Sequence, residues 1–211
     1  MGRLRIAALC LPLVWGLAVT AAGGETVVHP TPAKGIVLNP GKGWVLYGNA
    51  EWHSERLHAV ANLGYRRFEW AELEPEEGRY NWQPVDEYLE SWAKRGKQAA
   101  FGVMCCNSHT RRPGGYSTPK WVFDAGAAYR RIDLTKIDRP TTGTPGVKIV
   151  PDFDDPIFLE KLKHFLSAMG KRYDGDPRIA FYDVRSYGNW GEGHLWPFGG
   201  EPISGDMFRY H

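Results

Sequence analysis

Ile179-Ala-Phe-Tyr-Asp-Val-Arg-Ser-Tyr-Gly188 runs directly into Asn189-Trp-Gly-Glu-Gly-His194. The first ten residues, rich in β-branched and aromatic side chains, read as a buried strand. The next six read as a glycine-loosened loop that carries one carboxylate, Glu192. Along the strand Phe181, Asp183, Arg185 and Tyr187 share one face, while Ala180, Tyr182, Val184 and Ser186 share the other. Charged groups cannot be left unpaired against apolar helices, so the Asp–Arg face points away from any helical layer.

Working back from this strand, helix and strand signals alternate. Asp155 is a candidate N-cap with Pro156 in the first turn. Phe158, Leu162, Phe165, Leu166, Met169 and Tyr173 follow at helical spacing until Gly175 and Pro177 stop the helix. Gln98 to Cys105 is a strand. Before it, Pro84 opens a helix with Val85, Tyr88, Leu89, Trp92 and Ala93 on one stripe, closed by Gly96. Tyr65 to Trp70 is a strand, preceded by a helix from about Trp52 to Leu63 that Gly64 ends, and Gly43 to Gly48 is the first strand. Near-continuous apolar strands alternating with helices define an α/β fold of parallel βα units. Four such units are the first half of a (β/α)8 barrel, which usually takes about 250 residues. A complete smaller α/β domain is the alternative. No internal repeat is present.

Between the third strand and the last helix lie roughly fifty residues, Cys106 to Asp155, and connections this long are usually functional. This one holds His109, Tyr116, Trp121, Phe123 and Tyr129, a short helix from Trp121 to Ala128, and a turn at Thr141-Thr-Gly-Thr-Pro-Gly146.

Residues 1–23 read as a signal peptide: Arg3 and Arg5, an apolar run from Ile6 to Thr20, then Ala18, Ala21 and Ala22 for cleavage. The run is short for a membrane span, so the expectation is a secreted or periplasmic protein with no membrane role beyond export. Residues 24–42 form a lead segment and 43–211 the folded domain. The signal takes away two arginines and no acid, so the net charge of +2 falls to zero. That balance gives no nucleic-acid footprint. Cys10 lies in the apolar run, and the adjacent Cys105 and Cys106 read as ordinary thiols, because a vicinal disulfide is a strained ring.

The sequence is heavy in aromatics, with nine Trp and ten Tyr. Trp190 and Trp196 flank Glu192, and a carboxyl set among apolar rings has a raised pKa suited to acid catalysis. Asn189, Trp190 and His194 are candidate substrate contacts, as are Asn107, His109 and Trp121 near the third strand's end. Arg67 and Glu69 share one face of the second strand and are expected to join Asp183 and Arg185 in an ion network or to reach substrate. Glu74-Pro75 with Gly78 reads as a structural turn, and Trp52, Trp82 and Trp92 as core. Glu192-x-His194 lacks the spacing of a zinc-protease helix, so no metal site is expected.

Phe68-Glu-Trp-Ala-Glu-Leu-Glu-Pro-Glu-Glu-Gly-Arg-Tyr-Asn-Trp82 resembles the segment after the second strand of clan-A glycoside hydrolases. It is most similar to the family 42 β-galactosidase type, as is Pro119-Lys-Trp121. Tyr187-Gly-Asn-Trp-Gly-Glu-Gly-His194 also resembles bacterial proteins with a related barrel. The resemblance implies a (β/α)8 glycosidase acting on an oligo- or polysaccharide through two carboxyls and no cofactor. Glu192, at the end of the fourth strand, would be the acid/base residue. In the family an asparagine usually precedes that glutamate directly. Here Gly191 does, and Asn189 stands three residues back. The family's nucleophile follows the seventh strand, which these residues do not reach. A non-catalytic carbohydrate-binding barrel is the rival reading.

Overall fold

The computed structural model describes residues 42–137, 143–203, His29, Lys34 and Gly205. The expected signal, most of the lead segment and Thr141–Thr142 of the expected turn lie outside these residues.

Four parallel strands form the sheet: β1 (Trp44–Tyr47), β2 (Ala61–Glu69), β3 (Ala99–Met104) and β6 (Ile179–Asp183), paired in that order. Helix α1 (Glu55–His58) lies between β1 and β2, and α2 (Trp70–Leu73) and α3 (Gln83–Ala93) between β2 and β3. Helix α4 (Lys120–Asp124), strands β4 (Tyr129–Asp133) and β5 (Val147–Pro151), and helix α5 (Pro156–Tyr173) precede β6. The α/β class with a parallel sheet is therefore present.

Two helices cover one face of the sheet. Val85, Tyr88, Leu89 and Trp92 of α3 and Phe158, Leu162, Phe165, Met169 and Tyr173 of α5 are buried with Phe68, Phe101 and Val103. Asp155 caps α5 by accepting from the N–H groups of Ile157 (2.8 Å) and Phe158 (2.9 Å). Asp86 joins the two helices, accepting from Arg172 at 2.6 Å and from the Tyr173 hydroxyl at 3.0 Å. The other face carries Tyr65, Arg67 and Glu69 of β2 in register with Ala100, Gly102 and Met104 of β3, and Asp183 of β6 beside Gly102.

Several expectations are corrected. The helix expected over about Trp52 to Leu63 is a 3-10 turn at Ala50–Trp52 and one turn of α1, and β2 already begins at Ala61. Ala61 and Leu63 pair with Trp44 and Val45, and those ladder bonds outweigh the weak helical periodicity. Gly64 is a strand residue packed on Trp92, where a Cβ would approach the indole to 2.1 Å. Trp52 is exposed rather than core, with Arg66 above its ring, whereas Trp92 is fully buried and Trp82 packs against the core. The fourth strand ends at Asp183, not Gly188. The long connection contains an antiparallel hairpin, β4 against β5, that the sequence reading did not foresee. Cys105 and Cys106 are buried free thiols whose burial pushes their pKa upward.

Candidate active site

The strand periodicity that turns Arg67 and Asp183 away from the helices brings them together at the C-terminal strand ends. Tyr65 donates to Asp183 Oδ2 at 2.5 Å and accepts from Arg67 Nε at 3.1 Å. Arg185 reaches the same Asp183 oxygen through Nε (2.7 Å) and Nη2 (2.6 Å). Glu192 completes the ring: its Oε1 lies 2.8 Å from Arg67 Nη2 and 3.5 Å from Arg185 Nη1. Gly102 makes the arrangement possible, because a Cβ there would meet Arg185 Cγ and the Asp183 carbonyl oxygen at 2.7 Å each.

The surroundings of Glu192 are thus guanidinium groups rather than the apolar rings expected from its neighbours in sequence. Its second oxygen, Oε2, faces His194 Nε2 at 3.7 Å. Trp190 holds a left-handed backbone (φ 56°) and donates its N–H to the Cys106 carbonyl. That turn lays its indole flat on His109, with centroids 5.2 Å apart and planes 18° apart, and sets His194 edge-on at 5.9 Å.

Glu69 does not join the Arg67–Asp183–Arg185 ring. It accepts from Asn107 Nδ2 at 2.5 Å and Thr110 Oγ1 at 2.8 Å, and burial raises its pKa above the usual carboxylate value. Asn107 also accepts from the His109 N–H, so it ties Glu69 to the loop bearing the His109–Trp190 stack. Lys148, buried on β5, donates to the Thr110 carbonyl and Thr144 Oγ1 at 2.9 Å each, and burial lowers its pKa. Thr110 and Lys148 carried no sequence signal, since their role depends on the hairpin.

Two candidates stand elsewhere. Asn189 is fully buried, and its amide is committed to the Ser108 N–H and hydroxyl and the Trp196 carbonyl, leaving no atom for a substrate. It positions the loop. Trp121 sits half-buried on α4, with its N–H on the Glu74 carbonyl and its ring edge-on to Trp70, packed against the core. Glu74 accepts from Trp70 Nε1 and the Gly78 N–H, which makes the expected turn a closed structural unit.

Parallel strands whose C-terminal ends gather carboxylates, guanidinium groups and an aromatic stack define an α/β protein with a polar strand-end site. Comparison with known proteins gives it a family. The glycoside hydrolase family 42 model, described as beta-galactosidase, matches residues 51–189, and the chain belongs to that family. It is 30% identical over 145 residues to beta-galactosidase BgaA of Thermus sp, covering 66% of this chain and 20% of that protein. It is 28% identical over 148 residues to beta-galactosidase BgaH of Haloferax lucentense, covering 64% and 20%. The chain thus spans about a fifth of the length of these curated relatives. Among solved structures, a beta-galactosidase from the psychrophilic Marinomonas ef1 aligns with a TM-score of 0.44 at 18% identity, covering 66% of this chain and 21% of that one.

Proposed function

We propose that the protein is an exported glycosidase in which residues 43–211 supply the first four βα units of a (β/α)8 barrel and the acid/base carboxyl. Membership of the family supports an oligo- or polysaccharide substrate. The observation that carries the reading is Glu192 at the strand ends, with Oε1 held by Arg67 and Arg185 and Oε2 left toward His194. In this reading Oε2 exchanges the proton with the glycosidic oxygen, while the two guanidinium groups fix the carboxyl's orientation. The His109–Trp190 stack offers a flat apolar surface beside it for a sugar face. A second carboxylate from beyond this chain attacks the anomeric carbon. Retaining enzymes place the two carboxyl groups about 5–5.5 Å apart.

One observation favours the rival. Two guanidinium groups on one carboxylate oxygen also suit a carbohydrate-binding barrel that has lost catalysis. Glu192→Gln in the full-length protein separates the two readings. It keeps the shape and removes the transferable proton, so turnover of a glycoside with a poor leaving group is expected to fall by about 10²–10⁴-fold. Azide should restore part of the turnover of an activated aryl glycoside. Unchanged hydrolysis with weakened sugar binding would make Glu192 a ligand contact. Sugar binding by a wild type that hydrolyses nothing would establish the binding barrel.

Export rests on residues 1–23 and is tested by N-terminal sequencing of secreted material, with cleavage expected near Ala22 or Gly23. An intact Met1 in the membrane fraction would mean an anchor instead.

A further inference from the structure

Two adjacent arginines, Arg111 and Arg112, directly follow the threonine that holds Glu69. The segment they open lies against β5. A Cβ on Gly115 would stand 2.9 Å from Lys148 Cα, and Tyr116 bridges to Ile149. The two segments line a cavity of about 440 Å³. Its wall holds three cations, Arg111, Arg112 and Lys148, and two threonines, Thr110 and Thr144. Glycine, proline and Val147 make up the rest, and no carboxylate lines it. Resting on the glycosidase reading above, we propose that this cavity binds an anionic group, a carboxylate or a sulfate, carried by a sugar of the substrate. The glycan this protein takes is then an acidic one.

Three observations carry the assignment. The cations have no counter-charge. Lys148 is buried, and its ammonium donates to the Thr110 carbonyl and Thr144 Oγ1 at 2.9 Å each. Its third donor meets no acceptor among the described residues. Arg112 gives one N–H to the Ala71 carbonyl at 2.9 Å, and the exposed Arg111 side chain gives none. None of the three forms an ion pair among the described residues, whereas Arg67 and Arg185 are each held by carboxylates. Glu69 is the acid whose field reaches Lys148, but it stands behind Thr110 with its oxygens on Thr110 and Asn107. Burial raises its pKa, which makes it a poor counter-charge. A buried charge left so is costly, and an oxyanion in the cavity offsets that cost.

Secondly, the charged groups of the wall only donate hydrogen bonds. An oxyanion only accepts them, and guanidinium forks match its oxygens in pairs. A sugar hydroxyl also needs an acceptor for its own proton, which these cations do not offer. Thirdly, the cavity adjoins the sugar surface. Arg111 is two residues from His109, so their Cα atoms lie within about 7 Å of each other. His109 is stacked on Trp190, the flat surface beside Glu192. A sugar on that stack therefore has its own substituent, or its neighbour's, within reach of the cations.

The test titrates the full-length protein calorimetrically with three probes: oligosaccharides of a sulfated galactan, the same oligosaccharides after desulfation, and oligogalacturonate. At least one charged probe is expected to bind at least about tenfold tighter than the desulfated one. The two charged probes tell sulfate from carboxylate. Arg111→Ala alters an exposed side chain with no other partner among the described residues, so the fold should persist. It should reduce the preference for charge and leave the affinity for the desulfated probe unchanged, and Arg111→Lys should keep part of the preference. Adding Arg112→Ala should abolish it. Equal affinity for charged and desulfated probes, or a preference that survives the double variant, would overturn the proposal. Inorganic sulfate binding as tightly as the sulfated probe would overturn it too, since the site would then serve a free ion. A charge preference in a protein that hydrolyses no glycoside would refute the glycosidase reading and leave the anionic site standing. Hydrolysis of neutral and charged glycans with equal kcat/KM would do the reverse.

Discussion

Gly102 holds no charge and touches no substrate in this reading, yet the ion ring depends on it. A methyl group there would stand 2.7 Å from Arg185 Cγ and from the Asp183 carbonyl oxygen. Gly102→Ala must therefore displace Arg185 and loosen its contacts with Asp183 and Glu192, at a cost of about 1–3 kcal/mol. Urea unfolding of the full-length protein measures this, and an unchanged midpoint would show that Arg185 moves aside freely. Glu69 gives a pH-dependent test. Burial raises its folded pKa above the unfolded value near 4.5, so the folded state holds its proton to higher pH. Stability is then favoured below the unfolded pKa and declines as pH rises through the folded one. Glu74 is raised in the same direction, so the wild type must be compared with Glu69→Gln. The variant should show a flatter fall in stability above pH 4.5, and identical slopes would mean that Glu69 titrates normally. At this scale the sequence was informative where alternation alone decides. The two-residue period turns Arg67, Asp183 and Arg185 to one side, and the same period places Tyr65 with Arg67 on β2. It could not show that Asn189 is buried or that Glu192 meets arginines, because both depend on how the loop folds back.

At the scale of elements, the helix with chemically explicit ends was read closest to its observed form. Asp155 and Pro156 start α5 and Gly175, at φ 76°, follows its end. Replacing Asp155 by Ala removes the acceptor of two helix N–H groups, and also of the Ala128 N–H at 3.2 Å from the foot of β4. Loss of an N-cap costs about 0.5–2 kcal/mol. Asp155→Ala is expected in the upper half of that range, measured by thermal unfolding of the full-length protein. Asp155→Asn should recover most of the loss, and a variant as stable as the wild type would mean that water replaces the cap. The elements that escaped notice lacked such ends. Tyr129–Asp133 and Val147–Pro151 are five residues each, and only their pairing across the connection gives either a reason to be extended. The segment after Trp52 failed for the opposite reason. Its apolar spacing suits a helix, but β1 lies alongside and takes Ala61 and Leu63 into the sheet. Pairing between distant segments decides both cases, and local periodicity does not contain it.

At the scale of the molecule, the described strands leave two open edges. β1 and β6 each have a neighbour on one side only, in the order β1-β2-β3-β6. Large apolar side chains stand exposed at both: Trp44 (70%), Val45 and Tyr47 on β1, and Phe181 (50%) with Val184 at β6. Unpaired N–H and C=O rows flanked by such residues template pairing with other chains, and soluble proteins usually block them with charge, proline or a covering segment. The five exposed residues of β1 and β6, Trp44, Val45, Tyr47, Ala180 and Phe181, include no charge and no proline. Residues 24–211 expressed alone are therefore expected to self-associate and to bind a hydrophobic dye. On the half-barrel reading proposed above, a protein that also carries the remaining units should bind far less at the same concentration. Replacing Val45 and Phe181 with Lys should restore monomer without rebuilding a core, because both residues are about half exposed and neither belongs to the buried core. Light scattering and dye fluorescence read the two effects separately. A soluble monomer of residues 24–211 with no dye binding and one sharp thermal transition would show that these four strands need no further cover.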